Sequence, residues 1–229
     1  GNARSRERGI LERDEYKSMM DGLNEEQKRI VLFNKEWCFK YLKYLKTGTE
    51  KPDYYQTFII GAGGTGKSHI IKLIFHDTKT ILGRYINSDL HDQEDQIVAL
   101  KIAPTGIAAH NIDGMTMHSA LNIRSTKKNT SVPGKTFEFY QEYLSNLQVL
   151  ILDEVSMVGG QNFETIISRI NMIKKNTVSS DSGIPVNFLC FGDFMQLAPV
   201  RDVSLFNQTG CENQNNSNLN FNLKLVRDS

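Results

Sequence analysis

Apolar positions along this chain recur in two alternating periods. After a charge-dense stretch through residue 22, Ile30, Val31, Trp37, Cys38, Tyr41, Leu42 and Leu45 fall at spacings of three and four with Asn34 on the same stripe, which predicts an amphipathic helix over 24–46. Asn24, followed three residues later by Gln27, reads as the N-cap of that helix and its N3 partner. Beyond a linker at 48–53 the period changes. Short apolar runs bounded by turn residues predict buried strands at 56–60, 97–103, 148–152 and 186–191. Helical spacing between them predicts helices at 66–76, 107–111, 117–121 and 160–173, the last with Phe163, Ile166, Ile167, Ile170 and Ile173 on one face. Such alternation predicts an α/β fold with a largely parallel central sheet flanked by helices, whose ligands bind at the carboxyl ends of the strands.

The ends of these strands carry the candidate chemistry. Gly61, Ala62, Gly63, Gly64, Thr65, Gly66, Lys67 and Ser68 link the first strand to the next helix and fit the phosphate-loop pattern G-x-x-x-x-G-K-[ST]. Glycines free the backbone to turn successive N–H groups inward around phosphate oxygens, and the helix N-terminus adds its own unpaired donors. Lys67 would then reach the β- and γ-phosphates, and the Ser68 hydroxyl would hold Mg²⁺. The bland alternative, a glycine-rich strand-to-helix link, leaves the Lys-Ser pair at the helix start unexplained.

An apolar run ending in Asp153-Glu154 puts two carboxylates at a strand mouth, where they need not be buried in the sheet. With the phosphate loop expected on a neighbouring strand, Asp153 is assigned to the Mg²⁺ shell and Glu154 to the attacking water; standing alone, the pair would read as an acidic turn. A further strand ends in Gly192-Asp193, and Gln196 just beyond could bond a γ-phosphate or its water. At a third strand end, Thr105 and Gly106 with a helix N-terminus offer donors to a backbone phosphate, joined by Thr116 and His118; for His118 alone, a structural histidine is the simpler reading.

Composition narrows the setting. The chain has 229 residues, 39% hydrophobic and 23% charged, which suits one large domain, or a domain with appendages. Formal net charge is +1, short of bulk electrostatic nucleic-acid binding, so any such contact should be a local groove. No apolar run approaches 18 residues and the N-terminus is charged, so neither a membrane span nor a secretory signal is expected. Cys38, Cys190 and Cys211 are odd in number and widely spaced, as free thiols of a reducing compartment would be. An intracellular location, nuclear in a eukaryote, is therefore expected, and the sequons at Asn129, Asn207 and Asn215 are set aside. The histidines show no metal-ligand spacing. Residues 1–22 read as a charged, loosely docked arm, 122–137 as a basic insertion with Lys127, Lys128 and Lys135, and 207–229 as an Asn-rich mobile tail.

Taken in order, these segments resemble the PIF-type (petite integration frequency) superfamily 1B DNA helicases, relatives of the RecD-like helicases. Leu23 to Gln27 resembles their adenine-reading Q motif, and Gly61 to Ser68 their motif I. Ala103 to Ala109, with Asn111, Gly114, Thr116, His118 and Ser119, is similar to motif Ia and its extension. Leu152 to Val158 looks like motif II and Gly192 to Val200 like motif III, where Leu-Ala-Pro stands in place of the usual Leu-Pro-Pro. The match runs over 23–200, with a lean toward the helicase domains of rolling-circle transposons.

The resemblance implies a RecA-like P-loop NTPase domain, 23–206, that uses ATP and Mg²⁺ and grips single-stranded or forked DNA. It implies an ATP-dependent DNA helicase moving 5′ to 3′ in genome maintenance, recombination, telomere or transposition work. It assigns Gln27 to the adenine, Lys67, Asp153, Glu154 and Gln196 to catalysis, Ser68 and Asp153 to the metal, and Thr105, Gly106, Asn111, Thr116 and His118 to DNA. Motifs IV to VI and the arginine fingers belong to a second RecA-like domain in the family. This chain is expected to stop before that domain and to be weakly active alone. Two other readings stay open: a helicase-like nucleotide- or DNA-binding scaffold without unwinding, and a different P-loop ATPase.

Overall fold

A computed structural model describes residues 9–87, 96–123, 134–174, 184–193 and 222–225. The elements are α1 (Arg13–Asp21), α2 (Glu25–Thr47), β1 (Gln56–Ile60), α3 (Lys67–Thr78), α4 (Arg84–Ile86), β2 (Ala99–Ala103) and α5 (Gly106–Asn111). There follow β3 (Met115–Thr116), α6 (Met117–Ala120), α7 (Gly134–Tyr143), β4 (Val149–Leu152), α8 (Gly160–Ile173), β5 (Asn187–Gly192) and β6 (Asn222–Leu225). The strands form one sheet in the order β3-β2-β4-β5-β1-β6, and every pairing is parallel. The predicted α/β class holds.

Both faces of the sheet are covered, as an all-parallel sheet requires. On one face Ile70, Ile71, Leu73 and Ile74 of α3 pack with Ile30, Val31, Trp37 and Cys38 of α2 against Ile59, Ile151, Leu189 and Phe191. On the other, Phe163, Ile166 and Ile170 of α8 pack with Met117 of α6 and Leu144 against Leu100, Leu150, Phe188 and Cys190. Strands β4 and β5 feed alternate residues to both cores and are buried throughout. No described helix is long and apolar enough to cross a membrane.

Helix α2 begins in a complete capping box: the Gln27 N–H donates to Asn24 Oδ1 and the Asn24 N–H donates to Gln27 Oε1, each at 2.9 Å. It ends at Gly48, whose φ of 65° lets its N–H turn back to the Tyr44 carbonyl. The predicted helix over 66–76 continues further, through a π-type segment (Lys79–Gly83) into α4. Thr78 and Thr80 donate their hydroxyls to the Ile74 and His76 carbonyls, and the fully buried Leu82 anchors the extension. Apolar burial there outweighs the low helix propensity of the Thr-Gly-containing stretch.

Four expectations change. The charged arm contains helix α1, held by Tyr16, whose hydroxyl donates to the buried Asp77 at 3.2 Å, and by the Leu11 N–H donating to His76 Nδ1 at 3.0 Å. The basic insertion is helical from Gly134 onward, because Phe137, Tyr140 and Tyr143 find the second core; its residues 124–133 lie outside the described residues. Part of the expected mobile tail is β6, which pairs with β1, while 207–221 and 226–229 lie outside. Finally, the strands that precede the phosphate loop and the acid pair are not neighbours: β5 lies between β1 and β4. Spacing along the chain carries no information on strand order across the sheet.

Candidate functional site

Because all six strands run the same way, their carboxyl ends share one edge of the sheet. Along it stand, in order, Thr116 at the end of β3, Thr105 after β2, Asp153 after β4, Gly192 and Asp193 at the end of β5, and Gly61 after β1. At about 4.8 Å per strand, Asp153 sits about 10 Å from the start of the phosphate loop.

The loop is shaped by two left-handed glycines, Gly64 at φ 84° and Gly66 at φ 79°. Gly66 is also the N-cap of α3, and its carbonyl accepts from the Ile70 N–H. A Cβ at Gly66 would lie 2.9 Å from Gln27 Nε2. Lys67 Nζ donates to the Gly61 carbonyl at 2.6 Å and the Ala62 carbonyl at 2.8 Å, which folds the amine across the loop. The Thr65 hydroxyl donates to the Ala62 carbonyl at 2.9 Å, and Ser68 is exposed at the first turn of α3. The Gly61 N–H donates to the Gly192 carbonyl, tying the loop to the end of β5.

Gln27 closes the cap expected from sequence and also reaches the phosphate loop. While Oε1 closes the capping box, Nε2 donates to the Thr65 carbonyl at 2.8 Å, so the start of α2 forms a wall of the phosphate loop.

Opposite the loop, Asp153 is buried and its Oδ1 accepts from the Glu154 N–H at 2.9 Å. Burial pushes its carboxyl up to about 6; the neighbouring Glu154 charge adds to this, and the Glu154 N–H and Lys67 oppose it. Lys67 is thus near enough for its charge to act on Asp153. Glu154 has a left-handed φ of 51°, and its Oε2 is buried with no hydrogen-bond partner among the described residues. Backbone strain and an unsatisfied carboxylate in one residue are both costly, a pairing that marks functional positions. Gly192 admits the turn that follows Glu154, since a Cβ there would meet Val155 at 2.7 Å.

The nucleic-acid candidates divide. Thr105 caps α5 by accepting from the Ala108 N–H, and Thr116 caps α6 by accepting from the Ser119 N–H while donating to the Ser119 hydroxyl at 3.0 Å. Gly106 and Asn111 are exposed and His118 is half-buried. Gln196 lies outside the described residues. Sequence reasoning noted Asp193 at a strand end but gave it no role, though it is buried at the end of the strand between the acid pair and the loop, and it passed over Ile107, which is 79% exposed beside Thr105. Their signal was present: an acid at a strand end, and an apolar residue directly after an N-cap. Among the described residues no three His, Cys, Asp or Glu side chains converge on a metal position.

A parallel sheet with a phosphate loop after one strand and an acidic pair two strands away defines a RecA-like P-loop NTPase domain. Within that class the chain belongs to the PIF1-like helicase family, whose model matches residues 47–226. It is similar to the ATP-dependent DNA helicase PIF1 of Candida albicans, 32% identical over 198 residues that cover 79% of this chain and 18% of that protein. It is also similar to the ATP-dependent DNA helicase RRM3 of Saccharomyces cerevisiae, 30% identical over 62% of this chain and 18% of that protein. Among solved structures, a double mutant of the Bacteroides Pif1 helicase superposes with a TM-score of 0.51 at 26% identity, covering 78% of this chain and 33% of the other. A Pif1 structure solved for unwinding at forked DNA gives a TM-score of 0.56 at 21% identity, covering 90% and 44%. The chain spans about a fifth of the length of the curated relatives it matches.

Proposed function

We propose that this chain is the first motor domain of an ATP-dependent DNA helicase that moves 5′ to 3′ along single-stranded DNA. The observation that carries the reading is the shared sheet edge. The phosphate loop and the Asp153-Glu154 pair both lie on it, the Lys67 charge acts on the Asp153 carboxyl, and the caps Thr105 and Thr116 continue the same edge. The named relatives are ATP-dependent DNA helicases, and one similar structure concerns forked DNA, which supports the same substrate class.

The residues present fit a magnesium nucleotide. Loop N–H groups and Lys67 bind the phosphates, and Gln27 borders the loop where an adenine would enter. Ser68 and Asp153 would hold Mg²⁺, which when bound supplies charge neutralisation on the phosphate oxygens. Glu154, with its unsatisfied Oε2, orients the attacking water and takes its proton, and Gln196 senses the γ-phosphate. An arginine finger typically contributes a factor of about 10³ to 10⁵. In this reading the finger comes from a second RecA-like domain, so this chain alone turns ATP over slowly and does not separate duplex.

The test compares ATP turnover, with and without single-stranded DNA, for this chain and for a version extended at its C-terminus. DNA stimulation that appears in the extended form and is lost in Lys67→Ala supports the motor. Equal, DNA-independent turnover in both would place the chain among other P-loop ATPases, and efficient unwinding by this chain alone would overturn the need for a second domain.

A further inference from the structure

The chain that enters α1 is fastened to the last turn of α3 by a histidine that must be neutral to hold it. Gly9 crosses the Phe75 ring so closely that a Cβ there would lie 2.6 Å from it. Two residues on, the Leu11 N–H donates to His76 Nδ1 at 3.0 Å. A ring nitrogen that accepts carries no proton, so the bond requires the neutral imidazole with its proton on Nε2. The Tyr16 ring lies over His76 with centroids 4.7 Å apart, while its hydroxyl donates to Asp77 and accepts from Lys35 at 2.8 Å. No residue of α1 is fully buried, so these few bonds, with partial burial of Leu11, Tyr16, Met19 and Met20, hold the segment in place.

The same segment leads to the nucleotide loop. Helix α1 is capped by Gly22, two residues before Asn24 caps α2, and Gln27 of that capping box reaches the Thr65 carbonyl. We propose that residues 9–21 form a pH-sensitive clasp that steadies the phosphate loop through Gln27, closed while His76 is neutral and opened when it takes a proton; this rests on the nucleotide-binding reading above. Protonation turns Nδ1 into a donor facing the Leu11 N–H, so attraction gives way to repulsion. The new charge also meets a cationic setting. Burial opposes it most, Lys35 of α2 and Arg84 of α4 oppose it too, and Glu15 of α1 favours it, which together lower the pKa of His76. On the other side Tyr16, raised mainly by burial, stays neutral, and the Asp77 carboxyl of α3, also raised by burial, is bonded to Tyr16 and paired with Lys35. A histidine with a lowered pKa binds fewer protons in the closed state. The clasp is therefore fully closed above the free histidine value of about 6.5 and is lost as pH falls below it.

In the full chain, hydrogen exchange of the Leu11 amide, corrected for its intrinsic pH dependence, reports the clasp, and ADP titration reports the loop. Between about pH 7.5 and 5.5 one titrating histidine shifts the balance of closed and open forms by up to about tenfold, so wild-type Leu11 protection should fall by that order. His76→Asn puts a side-chain oxygen near the Nδ1 position and does not titrate, so its Leu11 protection should stay constant. Wild-type ADP affinity should drop severalfold more over this range than that of His76→Asn, a comparison that cancels the titration of the nucleotide and of Asp153. Leu11→Pro removes the donor and should weaken ADP binding by a similar factor at neutral pH, with far-UV circular dichroism checking that both variants are folded. Leu11 protection that ignores pH in the wild type, or falls equally in His76→Asn, overturns the histidine clasp. Equal pH dependence of ADP affinity in the wild type and His76→Asn, or an affinity untouched by Leu11→Pro, overturns its hold on the loop. Absence of ADP binding by the wild type at neutral pH would instead overturn the nucleotide reading, with Leu11 exchange still reporting the clasp.

Discussion

Gly66 shows how much one position can determine. Its left-handed φ of 79° disfavours any side chain, and a Cβ would press on the Gln27 amide at 2.9 Å. Gly66→Ala is expected to cost about 1–2 kcal/mol of stability and to displace Gln27 from the Thr65 carbonyl. Thermal unfolding should report the first effect and nucleotide titration a weakened affinity. Unchanged affinity would separate Gln27 from the loop's function.

Lys101 is a different single-residue case. It is only 3% exposed on β2, lies over the Phe75 ring at 4.2 Å, and is pulled down to about 8, chiefly by burial, with the Lys72 and Lys79 charges lowering it further and Asp113 opposing. A lysine whose folded pKa lies below its unfolded value binds fewer protons when native, so its cost is full below pH 8 and fades as pH rises toward 10.5. Lys101→Met should therefore stabilise the protein by about 1–2 kcal/mol at pH 7, with a gain that shrinks toward pH 10. Urea unfolding at the two pH values measures this, and a gain independent of pH would show that packing alone is responsible.

At the scale of elements, helix α2 joins stability to the site, because its capping box and its contact with the phosphate loop use the same glutamine. Asn24→Ala removes the cap and should cost about 1 kcal/mol. It should also loosen Gln27, so nucleotide affinity is expected to fall with stability. A loss of stability without loss of affinity would show that the Thr65 contact holds Gln27 unaided. Helix α1 is secured differently. Asp77, buried on α3, accepts from the Tyr16 hydroxyl and pairs with Lys35 at 3.4 Å. The apolar stripe of α1 is short, Tyr16, Met19 and Met20 packing on the first core without any residue of the helix being fully buried, and the bonds that tie this region to α3 join residues more than 60 positions apart.

For the whole molecule, two cores on opposite faces share β4 and β5, so neither can melt without exposing the other. Urea unfolding followed by Trp37 emission, which reports the α2 side, should coincide with the far-UV circular dichroism transition. An earlier tryptophan transition would show that α2 detaches as a separate unit.

The phosphate loop and the strand-end acid pair were legible along the chain as candidates, because each is a local demand on backbone and side chain. So were the four central strands and α8, whose continuous apolar runs and single-faced periodicity leave few alternatives. The capping pair Asn24 and Gln27 was equally local. Only tertiary structure decided that β5 separates the phosphate-loop strand from the acid-pair strand, that β6 adds to the far edge beside β1, and that Gln27 reaches the loop. It alone set the Leu11 N–H against His76, 65 positions along the chain. Periodicity records which face of an element is buried. Which element buries it depends on packing between residues far apart in sequence, and a single chain read alone carries no signal of that.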